Sequence, residues 1–145
     1  MAYLLTQYQT RDRPTHHQLS LSADDRRRVR HRFTNEAGET FHLDLPRGTV
    51  LCPGDCLTDS DESIAVEILA RPEPVYTVTA RSAHHLLQLA YHLGNRHVSL
   101  EIGQTYLRLQ PDPVLEAMLL QLGARIEAEI SPFLPEVGAY GDRSH

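Results

Sequence analysis

The hydrophobic period of this chain changes once, near Ala70–Pro74, and that change commits it to two unlike halves. Upstream, apolar residues come in short runs separated by turn residues. Tyr3–Tyr8, Gln18–Leu21, Arg26–Thr34 and Ser63–Leu69 read as strands. Thr40–Leu45 alternates apolar and polar residues at period two, as a half-buried strand requires. Asn35–Gly38 supplies a hairpin turn, and Arg47-Gly48 and Pro53-Gly54-Asp55 mark further turns. No stretch in this half is both long and 3.6-periodic. Residues 1–72 are therefore expected to form a small all-β domain.

Downstream, Val75–Thr79 reads as a strand and Ser82 as the cap of a helix. Ala83, Leu86, Leu87, Ala90 and Leu93 recur at helical spacing and predict one apolar stripe, with Gly94 as a left-handed stop. Val98–Ile102 and Thr105–Leu109 follow as strands joined at Gly103-Gln104. Asp112 before Pro113 is a strong helix start. Val114, Leu115, Met118, Leu119 and Leu122 are expected on the inner face of that helix, and Gly123 ends it. Ala124–Ile130 closes the series as a strand. The order βαββαβ over residues 73–136 is that of a ferredoxin-like split βαβ domain, which makes the chain α+β. Pro132, Pro135 and Gly138 announce a short flexible tail over residues 137–145.

A chain of 145 residues with 41% apolar content can build such cores, and with no Trp they must be largely aliphatic. The formal net charge of −5 argues against nucleic acid or a membrane surface as partner. All 14 basic residues are Arg. Without Lys, neither Schiff-base chemistry nor a Walker-type phosphate loop is possible, so any nucleotide hydrolysis must come from a partner. The longest apolar stretch, Leu86–Leu93, is broken by Gln88 and His92 and is far short of a membrane span of about 20 residues. A cytoplasmic protein with reduced Cys52 and Cys56 is expected.

Catalytic motifs are missing. The sequence has no His-Glu-x-x-His, no Cys-x-x-Cys and no Gly-x-Ser-x-Gly, and no pair of carboxylates stands out, so the chain is read as a non-enzyme. Nine His remain to be explained. His97 follows Gly94-Asn95-Arg96 at the start of the next strand, on a corner defined by backbone. It is either a surface imidazole that merely follows a turn or a metal donor. One His cannot hold a divalent ion well, but a two-fold dimer would bring two copies together at the axis. His84, His85 and His92 lie along one helix and read either as a solvated face or as a row of metal donors. His145 ends the tail. Residues 138–145 extend at most about 26–29 Å, and nearer 15 Å as a typical coil, so a tail donor is geometrically allowed. His16 and His17 are expected in a solvated loop, and the two Cys as packing residues around a turn. On the predicted strand Arg26–Thr34, residues Arg26, Arg28, Arg30 and Arg32 share a face. That face either keeps a sheet edge soluble or docks an acidic partner.

Leu89-Ala-Tyr-His-Leu-Gly-Asn-Arg-His97 resembles the hallmark of the urease accessory protein UreE family. Asp112-x-Val114-Leu115, Leu122-Gly123 and the run from Pro132 to Tyr140 are similar to its later blocks. Leu45-Pro-Arg-Gly48 and Gly54-Asp55-x-Leu57 resemble its N-terminal β domain. The resemblance implies a homodimeric nickel metallochaperone that carries Ni(II) as cargo to apo-urease, working with the GTPase UreG and other urease accessory proteins. It implies that the N-terminal domain binds protein, that His97 of both subunits forms the principal site, and that His92 stands where some members bind a further metal. His145 is a candidate third donor. Pro111 and Pro113 stand where some relatives carry extra His, and this tail offers only His145, which implies low capacity. A general copper, zinc or nickel buffer and a protein-binding scaffold with incidental metal are the alternative readings; Zn(II) or Cu(II) would use the same site.

Overall fold

The computed structural model describes residues 2–9, 15 and 17–137. They form two compact units that divide between Arg71 and Pro72.

The first unit is all β apart from one short turn of 3-10 helix. Its strands are β1 (Ala2–Leu5), β2 (Gln7–Gln9), β3 (His17–Leu21), β4 (Arg30–Thr34), β5 (Thr40–Asp44), β6 (Cys56–Thr58) and β7 (Ala65–Ala70). They make two sheets, β1-β5-β4 and β2-β6-β7-β3. In the first sheet Tyr3 and Phe33 both pair with Phe41, and Leu5 pairs with Leu43. In the second, Val66 lies between Leu57 and His17, and Leu19 pairs with Ile68. Because side chains alternate, these registers put the apolar residues of each sheet on one face. Leu5, Phe41, Leu43, Leu19, Leu57, Val66 and Ile68 join one buried cluster.

Four readings of this half are corrected. The strand predicted over Tyr3–Tyr8 is interrupted at Thr6, where the chain leaves one sheet and enters the other. The strand predicted from Arg26 begins only at Arg30. Asp25–Arg27 is 3-10 helix, Arg26 is buried, and its carbonyl accepts from Leu51 N–H. Only Arg30 and Arg32 remain of the proposed Arg face. Finally, β6 was not anticipated: its three residues are buried on both faces, so nothing alternates. His17 also departs from the expected solvated loop. It opens β3, packs against Tyr3 and Phe41, and pairs with Glu39 at 2.7 Å. His16 lies outside the described residues.

The second unit is β8 (Glu73–Thr79), α1 (Ala83–Gly94), β9 (Glu101–Ile102), β10 (Leu107–Leu109), α2 (Pro113–Gln121) and β11 (Arg125–Ser131). Its sheet runs β11-β8-β10-β9 with every neighbouring pair antiparallel, the ferredoxin-like arrangement. Ser82 accepts from His85 N–H, and Asp112 accepts from both Val114 and Leu115 N–H, with Pro113 at the first helical position. Val78, Leu107 and Leu109 meet Leu89, Leu93, Leu115 and Leu119 in one core. The predicted stripe on α1 is rotated: His85, Leu89 and Leu93 are buried, whereas Ala83 is exposed and Leu87 is 69% exposed. Val114 on α2 likewise faces out. The strand expected from Val98 starts at Glu101.

Candidate metal site

Helix α1 ends in a tight reel that presents His97. Asn95 N–H donates to the Tyr91 carbonyl, Arg96 N–H to that of Leu93, and His97 N–H to that of Gly94 at 3.0 Å. The left-handed residue is not the expected Gly94 but His97, with φ +56. His tolerates this region better than most residues, yet the conformation still has a steric cost. The imidazole is exposed, and it sits in the turn rather than on the following strand.

Circling the helix shows what surrounds the corner. With His85, Leu89 and Leu93 facing the core, residues 84, 87 and 91 point the opposite way at 100° per residue. Leu87 and Tyr91, one turn apart, are 69% and 68% exposed. Thus the outermost strip of α1 is apolar and runs down to the His97 corner. A helix that is apolar on both faces is ordinarily covered on both.

His92 stands on the last turn of α1, exposed, with its ring edge-on to Tyr91 at 5.4 Å. His84 is exposed as well. His85 is not part of a solvated row. Its Nδ1 accepts from Arg81 N–H at 3.0 Å, which leaves Nε2 to donate to the Leu122 carbonyl at 2.8 Å. This ring locks the start of α1 to the end of α2 and is not free to bind a metal. His145 lies outside the described residues.

The two thiols do not form a site. Cys56 is buried and Cys52 half-buried, and the turn between them is organised by Asp55. One Asp55 oxygen accepts from Cys52 N–H at 2.7 Å and from the Tyr8 hydroxyl at 2.9 Å. Among the described residues of one chain, no three His, Cys, Asp or Glu side chains converge to hold a metal ion. Imidazole is a good donor for nickel, copper and zinc, so the His97 corner fits such an ion only when other donors arrive from outside the described chain.

A group that the sequence did not reveal lies on β9. Glu101 is 7% exposed and accepts from Leu134 N–H at 2.9 Å and from the Tyr106 hydroxyl at 3.2 Å. Arg108 completes its shell with an ion pair at 3.4 Å. Its partners are 33 residues apart from it in one case and five in another, and only the first is informative. No local pattern signals such a contact.

No described helix is long and apolar enough to cross a membrane. The family model described as UreE urease accessory protein, C-terminal domain, matches residues 73–145, and that of the N-terminal domain matches residues 4–70. The chain is 52% identical over 127 residues to the urease accessory protein UreE of Nostoc punctiforme, covering 88% of this chain and 86% of that one. To its namesake from Nostoc sp. it is 54% identical over 123 residues, covering 85% and 84%. The protein of the same name from Microcystis aeruginosa is 52% identical over 122 residues, covering 84% and 77%.

Proposed function

The chain belongs to the UreE family of urease accessory proteins, and from that premise we propose that it is a nickel metallochaperone whose cargo is held between two copies of His97. The observation that carries this reading is the His97 corner: one exposed imidazole, fixed by its backbone, at the end of a helix whose outer strip is apolar. A second copy of the chain seated on Leu87 and Tyr91 would cover that strip. By symmetry it would also contribute the second imidazole. His145 supplies a third donor from the tail, and His92, one turn back on α1, offers a weaker accessory position.

Residues 1–72 are assigned the role of partner-binding domain, residues 73–136 that of metal and dimer domain, and residues 137–145 that of a tethered donor. The cargo passes in the cytoplasm to apo-urease, with UreG supplying the nucleotide chemistry that a Lys-free chain lacks. The protein carries out no catalysis of its own. Zn(II) and Cu(II) compete for the same imidazoles, since affinity for a nitrogen site rises toward copper. A buffering role is disfavoured because no donor cluster forms among the described residues of one chain.

Calorimetric titration with Ni(II) tests the reading. The protein should take up about one tight ion per dimer, the stoichiometry of a site shared by symmetry. His97→Ala should abolish tight binding yet leave the dimer intact by sedimentation. His97→Gly should also abolish it while unfolding at a higher temperature than His97→Ala, because glycine relieves a left-handed strain of about 1 kcal/mol. Unchanged nickel affinity in either variant overturns the assignment.

A further inference from the structure

We propose that β11 is a docking edge for an extended, basic segment of a partner protein, which joins the second unit's sheet as a fifth strand. This contact is independent of the nickel site and gives the second unit a partner surface of its own.

The sheet order sets the opportunity. β11 and β9 stand at the two edges of the four-stranded sheet, and β9 is only two residues long. β11 has seven residues, more than any other strand at a sheet edge in the described chain. All seven pair with β8, from Arg125 opposite Thr79 to Ser131 opposite Glu73. In such a strand alternate residues bond to the neighbour, and the rest turn their N–H and C=O outward. Among the described residues, no strand pairs with that outer side. β11 contains no proline, and its register runs without a bulge, so two of the usual devices that close an edge are missing. A row of outward donors and acceptors of this length is a template for another strand.

The two faces of β11 say what that strand must carry. Ile126 pairs with Val78 of the helical core, so Ile126, Ala128 and Ile130 lie on the helix side. Helix α2 leaves the rim of that side uncovered: Ala128 is exposed, and Ile130 is 69% exposed. Arg125, Glu127 and Glu129 lie on the other face, opposite Thr79, Thr77 and Val75. Glu127 is exposed and Glu129 half-buried. Among the described residues, neither carboxylate has a hydrogen-bond or ion-pair partner. Arg108, in the same cross-strand row as Glu127 beyond Thr77, is already engaged by Glu101 and Thr77.

The complement follows from this pattern. An added strand would set apolar side chains beside Ile126 and Ile130 on one face. On the other it would set Arg or Lys beside Glu127 and Glu129. Facing apolar residues and facing opposite charges are the favourable cross-strand pairs. The same pattern opposes a second copy of this chain as occupant. Two β11 strands fully overlapped about a two-fold axis at Ala128 would match Ile126 with Ile130, but would set Glu127 against Glu129 twice. The carboxylates thus guard the edge against its own kind and admit a basic strand.

The probe is a capped, fluorescently tagged peptide, Thr-Val-Arg-Val-Arg-Val-Thr, added to the full-length protein. It should bind by fluorescence anisotropy and shift the amide NMR signals of residues 125–131 most. A version with Glu in place of Arg should bind about tenfold more weakly or worse. So should Thr-Pro-Arg-Pro-Arg-Pro-Thr, which keeps the charge but lacks alternate N–H groups. The double variant Glu127→Arg, Glu129→Arg should reverse the preference, favouring the acidic peptide by about tenfold. Its circular dichroism should match the wild type, because neither side chain has a partner to lose. Absence of binding, or equal binding of the proline peptide, overturns strand addition. Undiminished binding of the basic peptide to the double variant, or shifts centred on another edge such as β4, overturns the site. A fall in sedimenting mass as the peptide binds would make a second copy the occupant and overturn the proposed partner.

Discussion

His97 adopts a left-handed backbone that glycine would occupy more cheaply, next to a glycine that does not need it. Strain of this kind persists where the surrounding structure over-determines it, and at an exposed residue it marks a place where side-chain identity matters more than stability. His85 shows the opposite bargain. Both its nitrogens are engaged by backbone groups, so its imidazole serves the helix junction alone. Glu39 in the first unit is a third type. A hydrogen bond from Asn35, then the contact with His17, holds its carboxyl below the usual carboxylate range. The sign follows directly: with the folded value lowered, the stabilisation is present above the unfolded value and is lost as pH falls through the folded one. Asn35→Ala should therefore move the Glu39 carboxyl titration, followed by carbon NMR, upward toward the ordinary range. An unmoved midpoint would show that His17 dominates.

At the level of elements, α1 does three jobs at once: it closes the core with Leu89 and Leu93, ends in the His97 corner, and offers Leu87 and Tyr91 outward. If the proposed dimer seats on this strip, Tyr91→Glu should yield a monomer by sedimentation, with little change in far-ultraviolet circular dichroism, because Tyr91 is largely exposed; nickel stoichiometry should collapse with it. A variant that stays dimeric would place the interface elsewhere. The same helix explains what sequence could tell. Caps at Ser82 and Asp112 and the βαββαβ order were legible because each rests on local chemistry. The facing of α1 was not, since Leu86 and Leu87 are adjacent and periodicity cannot choose between them. Its buried His85 is polar, held by two hydrogen bonds, and adds nothing to an apolar period. Arg26–Arg28 looked like a strand because charge carries no period, and β6 was invisible because both its faces are covered. The His97 corner was legible from its turn; the Glu101 shell, joined across 33 residues, was not.

On the scale of the molecule, the chain forms two units with separate cores, and the proposed function gives ion binding to one and partner binding to the other. In the proposed reading, the described residues offer one donor corner per chain. A lone imidazole has a further consequence, which is that holding and letting go become a matter of association. Under the proposed shared site, a chain that supplies half a cradle keeps its ion only while it has company, so apparent affinity should weaken on dilution below the level at which pairs persist. Nickel retention measured across a dilution series should track the fraction of paired chains rather than follow a single fixed constant. Unpairing the two copies would then be sufficient to discharge the cargo, with no change in the shape of either one.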